Sequence, residues 1–263
     1  MLVLPNIMVA PNGARRTKAD HPELPMTIPE IVACAKACYQ AGAGGIHAHV
    51  RDAQGRHVLD VGRYQELLTE LTVQVPDLVV QVTSEAAGIY QAVEQQTIMR
   101  ALAPAYMSVA WREMVPNQAP NTLKAARDFY AWAADNTVTI QHILYSADDL
   151  LAWLQAIDMQ LIPWQTQTQV LFVLGRYTQN QQSSPQDLIP FLQLLDQLQL
   201  RSELQWAVCA FGVSETECLL AAAKQGGCMR VGFENSLWQA DGSLAANNQE
   251  RVTALKQALQ ALE

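Results

Sequence analysis

His47 and His49 stand two residues apart in the stretch Gly44-Gly45-Ile46-His47-Ala48-His49-Val50-Arg51-Asp52. Extended backbone sends alternate side chains to opposite faces. Both imidazoles and Arg51 therefore share one row, while Ile46, Ala48 and Val50 share the other. Two imidazoles enclosed side by side are costly unless something satisfies them, and a divalent cation is the commonest such partner. Two imidazoles completed by one carboxylate form a catalytic metal set that leaves a position open for substrate. A packed, hydrogen-bonded pair is the plain alternative for this motif taken alone. The other histidines read differently: His21 and His142 stand singly and are expected to be structural. His57 follows the polar turn Asp52-Ala53-Gln54-Gly55-Arg56 and is expected to face solvent.

Positioning such a row requires a strand with neighbours. Apolar runs consistent with strands fall at 2–10, 44–52, 78–83, 106–110, 138–145, 170–174, 204–211 and 229–234. Several are nearly continuous in apolar residues, as in parallel strands buried on both faces. Helical patterns alternate with them. Thr27, Pro29 and Glu30 read as an N-cap, a first-turn proline and a capping box; Asp60, Ser146 and Ser214 (with Glu217) read as further helix starts. Eight strand-then-helix units in 263 residues match a (β/α)8 TIM barrel, expected as a single domain over 1–263. A doubly wound open sheet is the alternative. Its glycine-rich phosphate turn would fall at Val9-Ala10-Pro11-Asn12-Gly13, which lacks that pattern. No P-loop, GxSxG or HExxH pattern occurs.

Barrel active sites lie at the carboxyl ends of the strands. Those ends offer Asn12 and Arg15, then Thr83, Ser84 and Glu85, then Trp111, Arg112 and Glu113, then Gln141, His142, Tyr145 and Ser146, and finally Glu234 and Asn235. Strand eight is separated from strand two only by strand one, so Glu234 can reach the histidine pair; Glu85 and Glu113 are geometric alternatives.

Composition narrows the classes. Half the residues are apolar and 16% are charged, which excludes a disordered chain. This low charge also hints at subunit contacts and a homo-oligomer. A net charge of −8, with Arg15, Arg16 and Lys18 the densest cationic cluster, excludes an obvious nucleic-acid footprint. The five cysteines form no CxxC pair and are expected to be reduced core thiols. No apolar run suits a membrane span, and the first residues lack the pattern of a signal peptide, so a cytoplasmic location is expected.

Several stretches carry a resemblance. They are Lys18-Ala19-Asp20-His21-Pro22-Glu23-Leu24-Pro25, Ala41–Asp52 around the histidines, Phe172-Val173-Leu174-Gly175, Trp206-Ala207-Val208, and Arg230-Val231-Gly232-Phe233-Glu234-Asn235. In this order they resemble the β-keto acid cleavage enzymes, the family of 3-keto-5-aminohexanoate cleavage enzyme. The resemblance implies a (β/α)8 barrel, usually tetrameric, that binds a divalent metal, zinc being the expected ion. It implies a small anionic β-keto acid and acetyl-CoA as substrates, giving acetoacetate and a new CoA thioester. His47, His49 and Glu234 map onto the metal ligands. Thr83, Glu85, Arg15 and Asn235 fall at catalytic positions, and Arg51, Ser84 and Arg112 at substrate-binding ones.

This chain departs from the family pattern at four places. Asn235 stands where an acidic residue usually follows the metal-binding glutamate, and an amide cannot act as a base. Arg15 replaces an acidic residue of the first loop. Thr83-Ser84-Glu85-Ala86 replaces a Ser-Thr-Gly-Gly turn. Cys209-Ala210-Phe211 follows Trp206-Ala207-Val208 where the resemblance implies an arginine. Two alternatives stay open beside the family reaction: a barrel that binds metal or ligand without lyase activity, and a metal-dependent aldolase that does not use CoA.

Overall fold

The computed structural model describes residues 2–164 and 167–262. Eight parallel strands close into one barrel in sequence order: β1 (Ile7–Val9), β2 (Gly45–Ala48), β3 (Val79–Thr83), β4 (Tyr106–Ala110), β5 (Thr139–Leu144), β6 (Thr168–Leu174), β7 (Leu204–Ala210) and β8 (Cys228–Val231). β8 pairs with β1, and β1 with β2, so the ends of the chain's sheet meet beside the histidines. This is the (β/α)8 barrel expected from the alternation of patterns.

Helices α1 (Ile28–Ala41), α2 (Val61–Gln74), α3 (Ala92–Leu102), α4 (Trp111–Met114), α5 (Pro120–Asp135), α6 (Ala147–Asp158), α7 (Ile189–Gln197), α8 (Glu215–Lys224) and α9 (Asn248–Gln260) connect the strands. Their starts follow local chemistry. Thr27 and Glu30 form the capping box of α1, and the Asp60 and Ser146 side chains accept from the third residues of α2 and α6. Ser214 occupies the N-cap of α8, but its side chain makes no capping bond, against expectation. The one-turn helix α4 was not anticipated, being too short for periodicity to register.

Two cores result from strand alternation. Ile46, Ala48 and Val50 join the large core between sheet and helices. The opposite row enters the barrel, where Ala110, Ile143, Leu171, Val173, Ala207, Cys209 and Phe211 pack together. The lower interior is polar. Tyr106 donates to Gln169, which bonds Leu2 O and Gln205; Gln205 also accepts from Leu4 N. The segment at Leu2–Leu4 thus closes the amino end of the barrel.

Candidate active site

At the carboxyl end of β2, His47 and His49 point into the barrel and are fully buried. Their Nε2 atoms lie 3.0 Å apart. Glu234 Oε2 lies 3.5 Å from each of them. That oxygen is buried and has no hydrogen-bond partner among the described residues. The three residues are the one group among those described whose ligand-type atoms gather closely enough to hold a metal ion. The glutamate arrives differently from the expectation of a strand over 229–234. β8 ends at Val231, and Glu234 stands in the turn that follows.

That turn is fixed from several sides. Gly232 adopts φ +140° and lies where a Cβ would meet Ala10 O at 2.5 Å, so only glycine fits against β1. Glu234 N donates to Ala10 O, and Phe233 N donates to the Asn248 side chain. Arg16 donates to Phe233 O and, at 3.3 Å, to Asn235 O. A Cβ on Gly13 would lie 2.6 Å from Glu234 Cγ, so the first loop presses directly on the carboxylate arm.

The outer nitrogens of the histidines are also engaged. His47 Nδ1 lies 2.7 Å from Gln81 Oε1, and Gln81 donates to Gln141. His49 Nδ1 lies 3.4 Å from His57 Nδ1, and His57 Nε2 lies 2.9 Å from Glu85 O. His57 is therefore buried rather than solvent-facing. An antiparallel bridge from Arg51 to His57 folds the polar turn back, which sequence polarity alone did not reveal. Burial holds all three imidazoles below the usual histidine range; for His47, the Arg230 charge adds to the effect. Neutral imidazoles are the form that ligates a metal.

Two charged residues crowd the same cleft. Glu85 is half-buried, and its Oε2 stands 3.9 Å from His49 Nε2. Burial, then the charges of Glu234 and Glu113, push its carboxyl up to about 7. Arg230 projects inward from β8, with Nη2 3.1 Å from Glu234 Oε1 and 3.5 Å from Cys209 Sγ. Its Nε and Nη1 are buried without partners among the described residues. The missing strand-seven arginine therefore does not leave the site without a guanidinium, because the neighbouring strand supplies one. The signal was a lone arginine within the apolar run Cys228-Met229-Arg230-Val231. Thr83, Tyr145 and Arg176 complete the wall with Ile143, Val173 and Phe211.

The remaining expected residues spread around this centre. Thr83 Oγ1 accepts from Glu85 N, and Ser84 Oγ donates to Ser108 O, so both hold the loop after β3. The Arg51 guanidinium is spent on backbone carbonyls of the first loop and its own turn, at Gly13, Arg16 and Gly55. Arg112 pairs with Asp149 at 2.7 Å and lies over the Tyr145 and Tyr177 rings. Exposed Arg15 and half-buried Arg176 flank the mouth, which Glu85 and Glu234 also line. Asn235 is fully buried, and both atoms of its side-chain amide lack partners among the described residues. His21 bonds Ala245 O and lies tilted against the Phe233 ring, and His142 points away from the interior toward Tyr130 and Trp153.

Comparison with known proteins adds the following. A family model described as beta-keto acid cleavage enzyme matches residues 6–263. The 3-keto-5-aminohexanoate cleavage enzyme of Fusobacterium nucleatum is 26% identical over 254 residues, covering 91% of this chain and 85% of that protein. The 3,5-dioxohexanoate:acetyl-CoA acetone transferase of Paraburkholderia graminis is 25% identical, covering 97% and 90%. Among solved structures, ObcA in complex with oxaloacetate matches with TM-score 0.71 at 14% identity, covering 92% of this chain and 64% of that one, which reports on the fold.

Proposed function

We propose, from the premise that this chain belongs to the β-keto acid cleavage enzyme family, that it transfers an acyl group between a β-keto acid and CoA at a divalent metal. The substrates in this reading are a small anionic β-keto acid and acetyl-CoA, and the products are acetoacetate and a new CoA thioester. Its main support is the orphaned Glu234 Oε2, buried 3.5 Å from two imidazole nitrogens that are themselves 3.0 Å apart. Three such atoms facing one another repel unless a cation or a shared hydrogen lies among them, and the donor set suits zinc. His47, His49 and Glu234 would hold the ion. When bound, it supplies Lewis acidity toward the keto and carboxylate oxygens of the substrate.

The chain's own residues divide the remaining work. Arg230 has Nη1 hydrogens without a partner among the described residues, and these are available to an anionic oxygen and favour a developing enolate. Glu85 handles the proton, a role the Asn235 amide cannot take. Thr83 holds the Glu85 backbone in place. Arg15 and Arg176 at the mouth attract a substrate with further negative charge, opposite to the preference an acidic residue at position 15 would give. Ile143, Val173 and Phe211 form an apolar side that excludes water.

The test is a panel of β-keto acids incubated with acetyl-CoA, with zinc content measured in parallel. Bound zinc together with a new thioester is the expected result, and His47→Ala removes both. Zinc without thioester formation from any panel member refutes the acyl transfer. Cleavage that proceeds without CoA assigns the aldolase chemistry instead.

A further inference from the structure

We propose that His57 is a positioning residue that fixes the tautomer of His49, and through it the nitrogen that His49 presents to the site. The functional consequence rests on the metal reading above, whereas the tautomer itself does not.

The assignment follows from donor and acceptor rules. A backbone carbonyl only accepts, so His57 Nε2, 2.9 Å from Glu85 O, carries a hydrogen. In the neutral ring the other nitrogen, Nδ1, is then an acceptor. Its neighbour, at 3.4 Å, is His49 Nδ1, which must therefore donate. The hydrogen of His49 sits on Nδ1, and the Nε2 lone pair faces Glu234 Oε2. The opposite tautomer would place two lone pairs against each other at the Nδ1 contact, and would put a hydrogen between the two Nε2 atoms, where the ligand atoms are needed. Outer partners set the tautomer and orientation of ligating histidines in this way.

The two histidines of the pair reach the same state by different means. His47 is oriented by the Gln81 amide, whose nitrogen is committed to Gln141. His49 depends on an imidazole delivered by the chain's own return. Asp52 accepts from the backbone of Gln54 and Arg56 and pairs with the Arg56 side chain, closing the turn. The bridge from Arg51 to His57 then sets the ring behind His49. Because His57 also holds Glu85 O, one ring ties together His49 and the loop bearing the proposed proton-handling carboxylate.

The experiment uses the full chain with 15N-labelled histidine, in the metal-free state and in titration with zinc. In the metal-free wild type, two-bond nitrogen–proton correlations are expected to show His49 protonated at Nδ1 and bare at Nε2. In His57→Phe, His49 becomes a mixture of tautomers and zinc affinity falls about 10- to 100-fold. His57→Asn, which can present an amide oxygen to His49 Nδ1, restores most of the affinity. His49 protonated at Nε2 in the wild type overturns the inference, and so does unaltered zinc affinity in a folded His57→Phe. If His57→Phe does not fold, the wild-type spectrum and His57→Asn decide. A wild type that shows the expected tautomer but binds no zinc refutes the metal reading and leaves the tautomer assignment intact.

Discussion

The barrel interior holds two buried polar layers that differ in how they are satisfied. In the lower layer, Tyr106, Gln169 and Gln205 bond one another in series and the Leu2 and Leu4 backbone. In the upper layer, Glu234 Oε2 and two nitrogens of Arg230 have no partner among the described residues, although charge is concentrated there. A neutral, closed network rigidifies a core, whereas convergent unpaired charges are stable only when something else completes them. Unpaired atoms alone do not make the distinction. Tyr130 Oη, His142 Nδ1 and Trp153 Nε1 also lack partners among the described residues, behind β5, but they carry no opposing charges. The proposed function places the chemistry in the upper layer, with the lower layer as its support.

The largest expected effect tests the upper layer directly. Glu234→Gln keeps the shape but removes the anionic ligand and the partner of Arg230. Zinc content, read by elemental analysis, should fall from near one per chain to background. Retained zinc would place the metal elsewhere. Next, Glu85→Gln should lower turnover by about 10²- to 10⁴-fold while leaving zinc bound. A loss of zinc instead would make Glu85 a ligand.

The lower layer should respond in stability rather than metal. Tyr106→Phe leaves Gln169 short of a donor and should cost about 1–3 kcal/mol in denaturant unfolding, with zinc content unchanged. A change in metal affinity without loss of stability would erase the contrast between layers. The smallest effect is invisible at neutral pH. Burial holds the His142 pKa down at about 3, against 6.5 when unfolded. The unfolded chain therefore binds a proton that the folded chain refuses. The contribution of His142 is therefore complete above pH 6.5 and declines as pH falls toward 3. His142→Phe should recover about 2 kcal/mol of the acid loss at pH 5. An unchanged acid limb would show that His142 does not titrate in this way.

Much of this was legible in the chain. The rows of His47, His49 and Arg51 against Ile46, Ala48 and Val50 follow from a period of two, and the interior and outer cores separate along that line. Thr27, Asp60 and Ser146 announced their helices because capping is local. His57 was misplaced because a polar turn reads as solvent-facing until the bridge to Arg51 folds it inward. Arg230 was passed over because burial is a property of the closed barrel, not of the four residues around it.

The sequence by itself determined the alternation of strands and helices and the shared face of two histidines, since both depend on neighbours a few residues away. It also carried the family resemblance. Only the tertiary structure decided that Glu234 leaves β8 in a turn and reaches the histidines. The same holds for Arg230 supplying the buried guanidinium and for His57 standing behind His49. These relations span loops and the closure of β8 onto β1, where Glu234 N meets Ala10 O across 224 residues of chain, and no local pattern encodes them.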